Sequence, residues 1–99
     1  MTEFEQSLYN ILASLPKGKL ISYGQLAKQC GYPNHARHVG KTLAKLPKDT
    51  RLPWFRVVNS QGKISLVGDA FLRQKAYLEA EGLSVNEVGK ISHYRDYLA

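Results

Sequence analysis

Apolar residues at Phe4, Leu8, Ile11, Leu12 and Leu15 recur at steps of three and four, so one stripe of a first helix faces inward. Thr2 and Glu5 frame its start as a capping box, each side chain accepting from the other's backbone N–H. Pro16 cannot continue the helical ladder, and Lys17-Gly18-Lys19 turns the chain. Ser22-Tyr23-Gly24-Gln25 repeats the capping-box spacing and opens a shorter helix, with Leu26, Ala27 and Cys30 inside and Gly31 as its stop. After the tight connection Tyr32-Pro33, Asn34 is a good N-cap for a third helix that buries Ala36, Val39, Leu43 and Leu46 until Pro47 closes it. Beyond Pro53 the period shortens. Phe55, Val57 and Val58 lean toward strand, Asn59 to Gly62 reads as a turn, and Lys63 to Val67 returns as a second strand of a hairpin. Gly68-Asp69 opens a fourth helix with Phe71, Leu72, Ala76 and Leu78 for the core, ended by Gly82 with Leu83 just beyond. Residues 84–99 carry Tyr94 and Tyr97 but no period, and their structure stays open.

The pattern is mainly α with a short β-hairpin. Two short helices joined by a glycine-containing turn describe a helix-turn-helix, and a hairpin after it resembles the wing of a winged-helix domain. Ninety-nine residues make one domain, 1–99, with a modest core. No apolar run nears the ~20 residues of a membrane span, and the acidic start MTEFEQ lacks a secretory core. A single cysteine excludes an internal disulfide and suits a reducing cytoplasm.

Charge sharpens the picture. The net +6 and a pI near 9.6 point to a polyanion. Its placement says more than its sum: from 17 to 48 the chain holds Lys17, Lys19, Lys28, Arg37, Lys41, Lys45 and Lys48 and no acid. Arg37, Lys41 and Lys45 step by four, forming a basic stripe opposite the apolar one on the third helix. A one-signed block of this kind is the footprint of phosphate contact, although a basic helix face is also an ordinary solvated surface.

Catalytic signatures are sparse. His35, His38 and Cys30 lack the fourth ligand and cysteine pairing of a zinc site, no glycine-rich phosphate loop occurs, and the carboxylates are scattered. No cofactor or metal is expected. Trp54 is the only tryptophan. Such a residue in a small domain is ordinarily core. Its neighbours suggest another use: Pro53 stiffens the backbone, and in an extended segment Arg56 points to the same side as the indole. An indole beside a guanidinium suits a flat, electron-rich ligand such as a nucleobase.

SYGQLA at 22–27, AR-x-VG at 36–40, P-W-x-RVV-N-S-x-G at 53–62 and EG at 81–82, at these intervals, resemble the DNA-binding domain of the O6-alkylguanine-DNA alkyltransferases. The likeness runs to about Leu83; as in the alkyltransferase-like relatives, no counterpart of the transferases' separate N-terminal domain is expected. Where they carry P-C-H-R-V, this chain has Pro53-Trp54-Phe55-Arg56-Val57. Tryptophan in place of the alkyl-accepting cysteine is the mark of the alkyltransferase-like proteins, which the chain resembles. The resemblance implies a helix-turn-helix with a small wing, its recognition helix in the minor groove. It implies that Arg37 fills the space of an extruded base, that Tyr23 turns the target nucleotide's phosphate, and that Ser60 and Tyr32 contact DNA. The lesion would enter a pocket beside Trp54, with Phe55, Arg56 and Val67 around it. Phe55 stands where the transferases have histidine, Leu46 where they have a bracing asparagine, and Val67 where they have a pocket-lining tyrosine. Glu81 matches the glutamate of their hydrogen-bond relay; with no histidine to hold, a structural role is expected.

The expectation is therefore a non-enzymatic sensor of O6-alkylguanine in duplex DNA. It flips the nucleotide, transfers no alkyl group and flags the site for nucleotide excision repair proteins. It would be cytoplasmic and nucleoid-associated, acting as a monomer on one lesion and touching no membrane. A winged-helix transcription regulator is the alternative, and a thiol enzyme using Cys30 is a second.

Overall fold

The computed structural model describes residues 2–99. Helix α1 (Glu3–Ser14) starts as its sequence dictates: the Thr2 hydroxyl accepts from the Glu5 N–H at 3.1 Å, and Glu5 Oε1 accepts from the Thr2 N–H at 3.0 Å. Strand β1 (Ile21–Ser22) leads directly into α2 (Tyr23–Gln29), capped by the Ser22 hydroxyl at 3.1 Å from the Gln25 N–H. Helix α3 (Ala36–Ala44) begins at His35 rather than Asn34, and no side chain caps it. A 3-10 turn (Trp54–Arg56) precedes β2 (Val57–Val58), and α4 (Gly68–Ala80) and a second 3-10 turn (Tyr94–Tyr97) complete the chain.

The fold is mainly helical with a small two-stranded sheet, as expected, but the strands pair differently. β2 lies parallel to β1, with Ile21 opposite Val57 and Ser22 opposite Val58. Residues 63–67 do not return along β2. The Asn59 turn closes, with the Asn59 N–H on the Lys63 carbonyl at 3.1 Å. The chain then pairs with the tail: Lys63 bridges Lys90, and the Ile64 N–H donates to the Gly89 carbonyl at 2.9 Å. The tail is thereby ordered. Val85 bridges Ile91, and Leu20 donates to the Tyr97 carbonyl at 2.7 Å beside a parallel bridge to Leu98.

The sheet stands between two apolar clusters. Because alternate strand residues face opposite ways, Ile21 and Val57 join Phe4, Leu8, Leu12, Leu26 and Val39 on one side. Leu20 and Val58 join Ile64, Leu78, Leu83 and Ile91 on the other. On α4 the inward residues are Gln74 and Leu78, with Phe71 half-buried. Leu72 and Ala76 were expected inside and are exposed, because they lie off the stripe that Gln74 and Leu78 define at a four-residue step. Gln74 spends its amide on the Phe55 and Val57 carbonyls, both at 3.0 Å, and so ties α4 to the segment carrying Trp54.

Candidate nucleic-acid interface

The short α2–α3 pair presents one face of α3 outward. Val39 and Thr42 are buried against the first cluster, whereas Arg37, Lys41 and Lys45 are exposed, as the four-residue step requires. Beside α3, open to solvent, lies a cavity of about 790 Å3, within the range that takes a small organic ligand and roomy for a purine. Tyr23 from the start of α2, Arg37, Gly40 and Leu43 from α3, Trp54 from the 3-10 turn, and Ala70 and Arg73 from α4 all line it.

Trp54 is placed by its neighbours. Pro53 is buried at the head of the 3-10 turn, and the half-buried indole meets the rings of Phe55 and Tyr77 edge-on at centroid distances of 5.9 and 6.0 Å. The Arg73 guanidinium sits 5.5 Å over its ring. Trp54 thus belongs to neither apolar cluster and forms part of the cavity wall. The Tyr23 hydroxyl lies 3.4 Å from Ser65 Oγ, linking α2 to the segment that precedes α4.

Tyr23, Arg37 and Trp54 are therefore gathered at one cavity. Lys41 and Ser60 are exposed away from its wall. Tyr32, 38 % exposed, stands in a separate shallow groove with Phe4, His35 and His38. The remaining three residues assigned to the pocket do not line it. Phe55 stacks on Tyr77, 4.8 Å between centroids and 15° between planes, and packs against the second cluster. Val67 is 83 % exposed at the N-cap of α4.

Arg56 departs furthest from the sequence reading. The segment is a 3-10 turn, not extended, so residues 54 and 56 do not share a side. Arg56 turns inward to Glu81, with Nη2 at 2.5 Å from Oε2, and donates from Nη1 to the Leu15 carbonyl at 2.7 Å. Glu81 Oε1 also accepts from the Gly18 N–H at 3.0 Å, so the pair staples the end of α1 to the end of α4. Burial pushes the Glu81 carboxyl up. The Arg56 and Gly18 hydrogen bonds and the charges of Arg56 and Lys17 outweigh burial, and the net shift is downward.

Cys30 is buried in the first cluster, where desolvation pushes its thiol up and disfavours the thiolate that nucleophilic chemistry needs. Among the described residues no three His, Cys, Asp or Glu side chains are grouped to hold a metal ion, and no helix is long and apolar enough to cross a membrane. Sequence reasoning missed Lys48, Thr50, Asn59, Ser65, Leu66, Ala70 and Arg73 on the cavity wall.

An outward basic helix that follows a short helix across a tight turn, beside a cavity roomy enough for a purine, defines a helix-turn-helix DNA-binding domain. Residues 3–83 match the family described as the 6-O-methylguanine DNA methyltransferase, DNA binding domain, and the chain belongs to that family. It is 54% identical over 92 residues to a DNA base-flipping protein of Vibrio parahaemolyticus, covering 93% of this chain and 92% of that protein. It is 39% identical over 87 residues to alkyltransferase-like protein 1 of Schizosaccharomyces pombe, covering 86% and 81%. The crystal structure of S. pombe Atl1 in complex with damaged DNA containing O6-carboxymethylguanine matches with a TM-score of 0.87 at 35% identity, covering 100% of this chain and 96% of that one.

Proposed function

We propose that this protein is a non-enzymatic damage sensor that binds O6-alkylguanine in duplex DNA by flipping the nucleotide into the cavity beside Trp54. The observation that carries this reading is the shared cavity: Tyr23, Arg37 and Trp54 come from three separate elements and line the same cavity. The names of its relatives support it, one a DNA base-flipping protein and another an alkyltransferase-like protein bound to damaged DNA.

The energetics are consistent. Extruding a base costs a few kcal/mol, least for a mispaired alkylated guanine. Stacking a base on an aromatic returns ~1–3 kcal/mol. Arg37, exposed at the mouth of the cavity, takes the vacated place in the stack, and Tyr23 bears on the phosphate of the turned nucleotide. Lys41, Ser60 and Tyr32 hold the backbone on either side. No alkyl transfer follows. The indole of Trp54 is a poor nucleophile beside a thiolate, and Cys30 is sealed in the core. A lesion held without turnover becomes a mark, and handing it to nucleotide excision repair proteins is the role this chemistry suits.

The test compares matched duplexes carrying guanine or O6-methylguanine at stated salt. Preferential binding of the lesion with no methyl group transferred to protein is expected, and Arg37→Ala should lose most of that preference. Equal affinity for both duplexes would defeat the proposal and favour a regulator that reads sequence.

A further inference from the structure

The cavity wall is largely apolar, with Leu43, Leu66 and Ala70 on it, yet three cations border it and no Asp or Glu does. Two of these cations, Arg37 and Lys48, are exposed. The third, Arg73, is half-buried, reaches in from α4 and lies 5.5 Å over the Trp54 ring. Among the described residues Arg73 has no hydrogen-bond or ion-pair partner; the ion pair present joins Arg56 to Glu81 instead. A guanidinium held near an arene by cation–π attraction still has its N–H donors to give, and a carboxylate meets them in a two-pronged fork. Ala70, three residues earlier on the same helix and also on the wall, adds only a methyl group beside it.

We propose that Arg73 makes this site selective for O6-alkylguanines whose substituent ends in an anion, such as a carboxylate on a short alkyl arm, over neutral substituents of the same size. The inference rests on the reading of the cavity as the seat of the flipped nucleotide. A neutral arm packs on the apolar wall and leaves a partly desolvated cation unpaired. An anionic arm packs equally well and pairs with that cation. Steric fit does not separate the two; charge does. A DNA phosphate is the other anion within the same chemistry, and the experiment separates it from the adduct.

Binding is measured for four matched duplexes, carrying guanine, O6-methylguanine, O6-carboxymethylguanine or the uncharged isostere O6-carbamoylmethylguanine, with the wild type, Arg73→Met and Arg73→Lys. The wild type should bind the carboxymethyl duplex about ten- to a hundredfold tighter than the carbamoyl duplex, the size of a charge-assisted hydrogen bond. Arg73→Met should bring that ratio near one, a larger fall than any change in the methyl-to-guanine ratio, and Arg73→Lys should keep part of it. Thermal melts confirm that both variants fold. A wild-type ratio of one, or a ratio unmoved by Arg73→Met, overturns the proposal. So does an equal weakening on all four duplexes, which puts the guanidinium on a phosphate. A wild type that ignores every lesion fails earlier, on the cavity reading itself.

Discussion

Glu81 has two consequences that can be measured. Its carboxyl lies below the ordinary carboxylate range when folded, so its stabilising contribution is complete above that range and is lost as pH falls through the folded value. Side chains only 12% and 9% exposed make the Arg56–Glu81 pair a largely, though not fully, buried one. Removing one partner leaves the other charge uncompensated, and Glu81→Gln should cost about 3 kcal/mol at pH 7 by urea denaturation. Below about pH 5 the wild type should lose stability faster than the variant, so the two curves converge. Parallel curves would mean that Glu81 is not the group titrating. Thr42 makes the opposite case. It is fully buried and its hydroxyl has no partner, so the buried oxygen is a cost without a return. Thr42→Val keeps the shape and the β-branch and should stabilise by about 1 kcal/mol, read as a higher denaturation midpoint at unchanged slope.

At the scale of elements, the Asn59–Gly62 turn shows how the tail shapes the interface. Gly62 holds φ at +72°, and a Cβ built there would lie 2.0 Å from the Tyr94 ring. Gly62→Ala therefore meets both a left-handed backbone, worth about 1–2 kcal/mol, and a steric clash. Tyr94→Ala in the same chain should restore part of the loss, and additive effects in that double-mutant cycle would show that the ring does not sit on the turn. This contact also marks what the sequence could not display. The first two helices were legible because each carries its own cap, Thr2 with Glu5 and Ser22 with Gln25, whereas α3 and α4 have no side-chain cap and were legible from their apolar spacing and their stops. β1 and β2 are two residues each, too short for a period, and their pairing spans more than thirty positions of chain, from Ile21 to Val57. The tail is held by single bridges and by Tyr94 on Gly62, none of which leaves a local pattern. Tyr23, Arg37 and Trp54 were legible because they sit inside contiguous motifs. Arg73 was not, since its approach to Trp54 exists only once α4 has docked through Gln74. Arg56 was misplaced because two-residue alternation holds for a strand and not for a 3-10 turn.

Over the whole molecule, the proposed function divides the work of binding between charge and cavity. On that proposal the exposed stripe of α3 would meet phosphates that every duplex offers, so its contribution would depend on salt and not on damage. The cavity would meet only what has left the stack, so its contribution would depend on damage and weakly on salt. The two are separable by mutation. Lys41 is exposed and off the cavity wall, and Lys41→Ala should weaken guanine and O6-methylguanine duplexes by the same factor while lowering the slope of log affinity against log salt by about 1. Trp54→Ala should do the reverse, reducing the lesion-to-guanine ratio while the slope stays put, since removing an uncharged ring releases no counterion. If both variants moved slope and ratio together, one continuous surface rather than two would be reading the DNA. A Trp54→Ala protein that loses all duplexes alike would then place the indole in the framework that holds α3 in position.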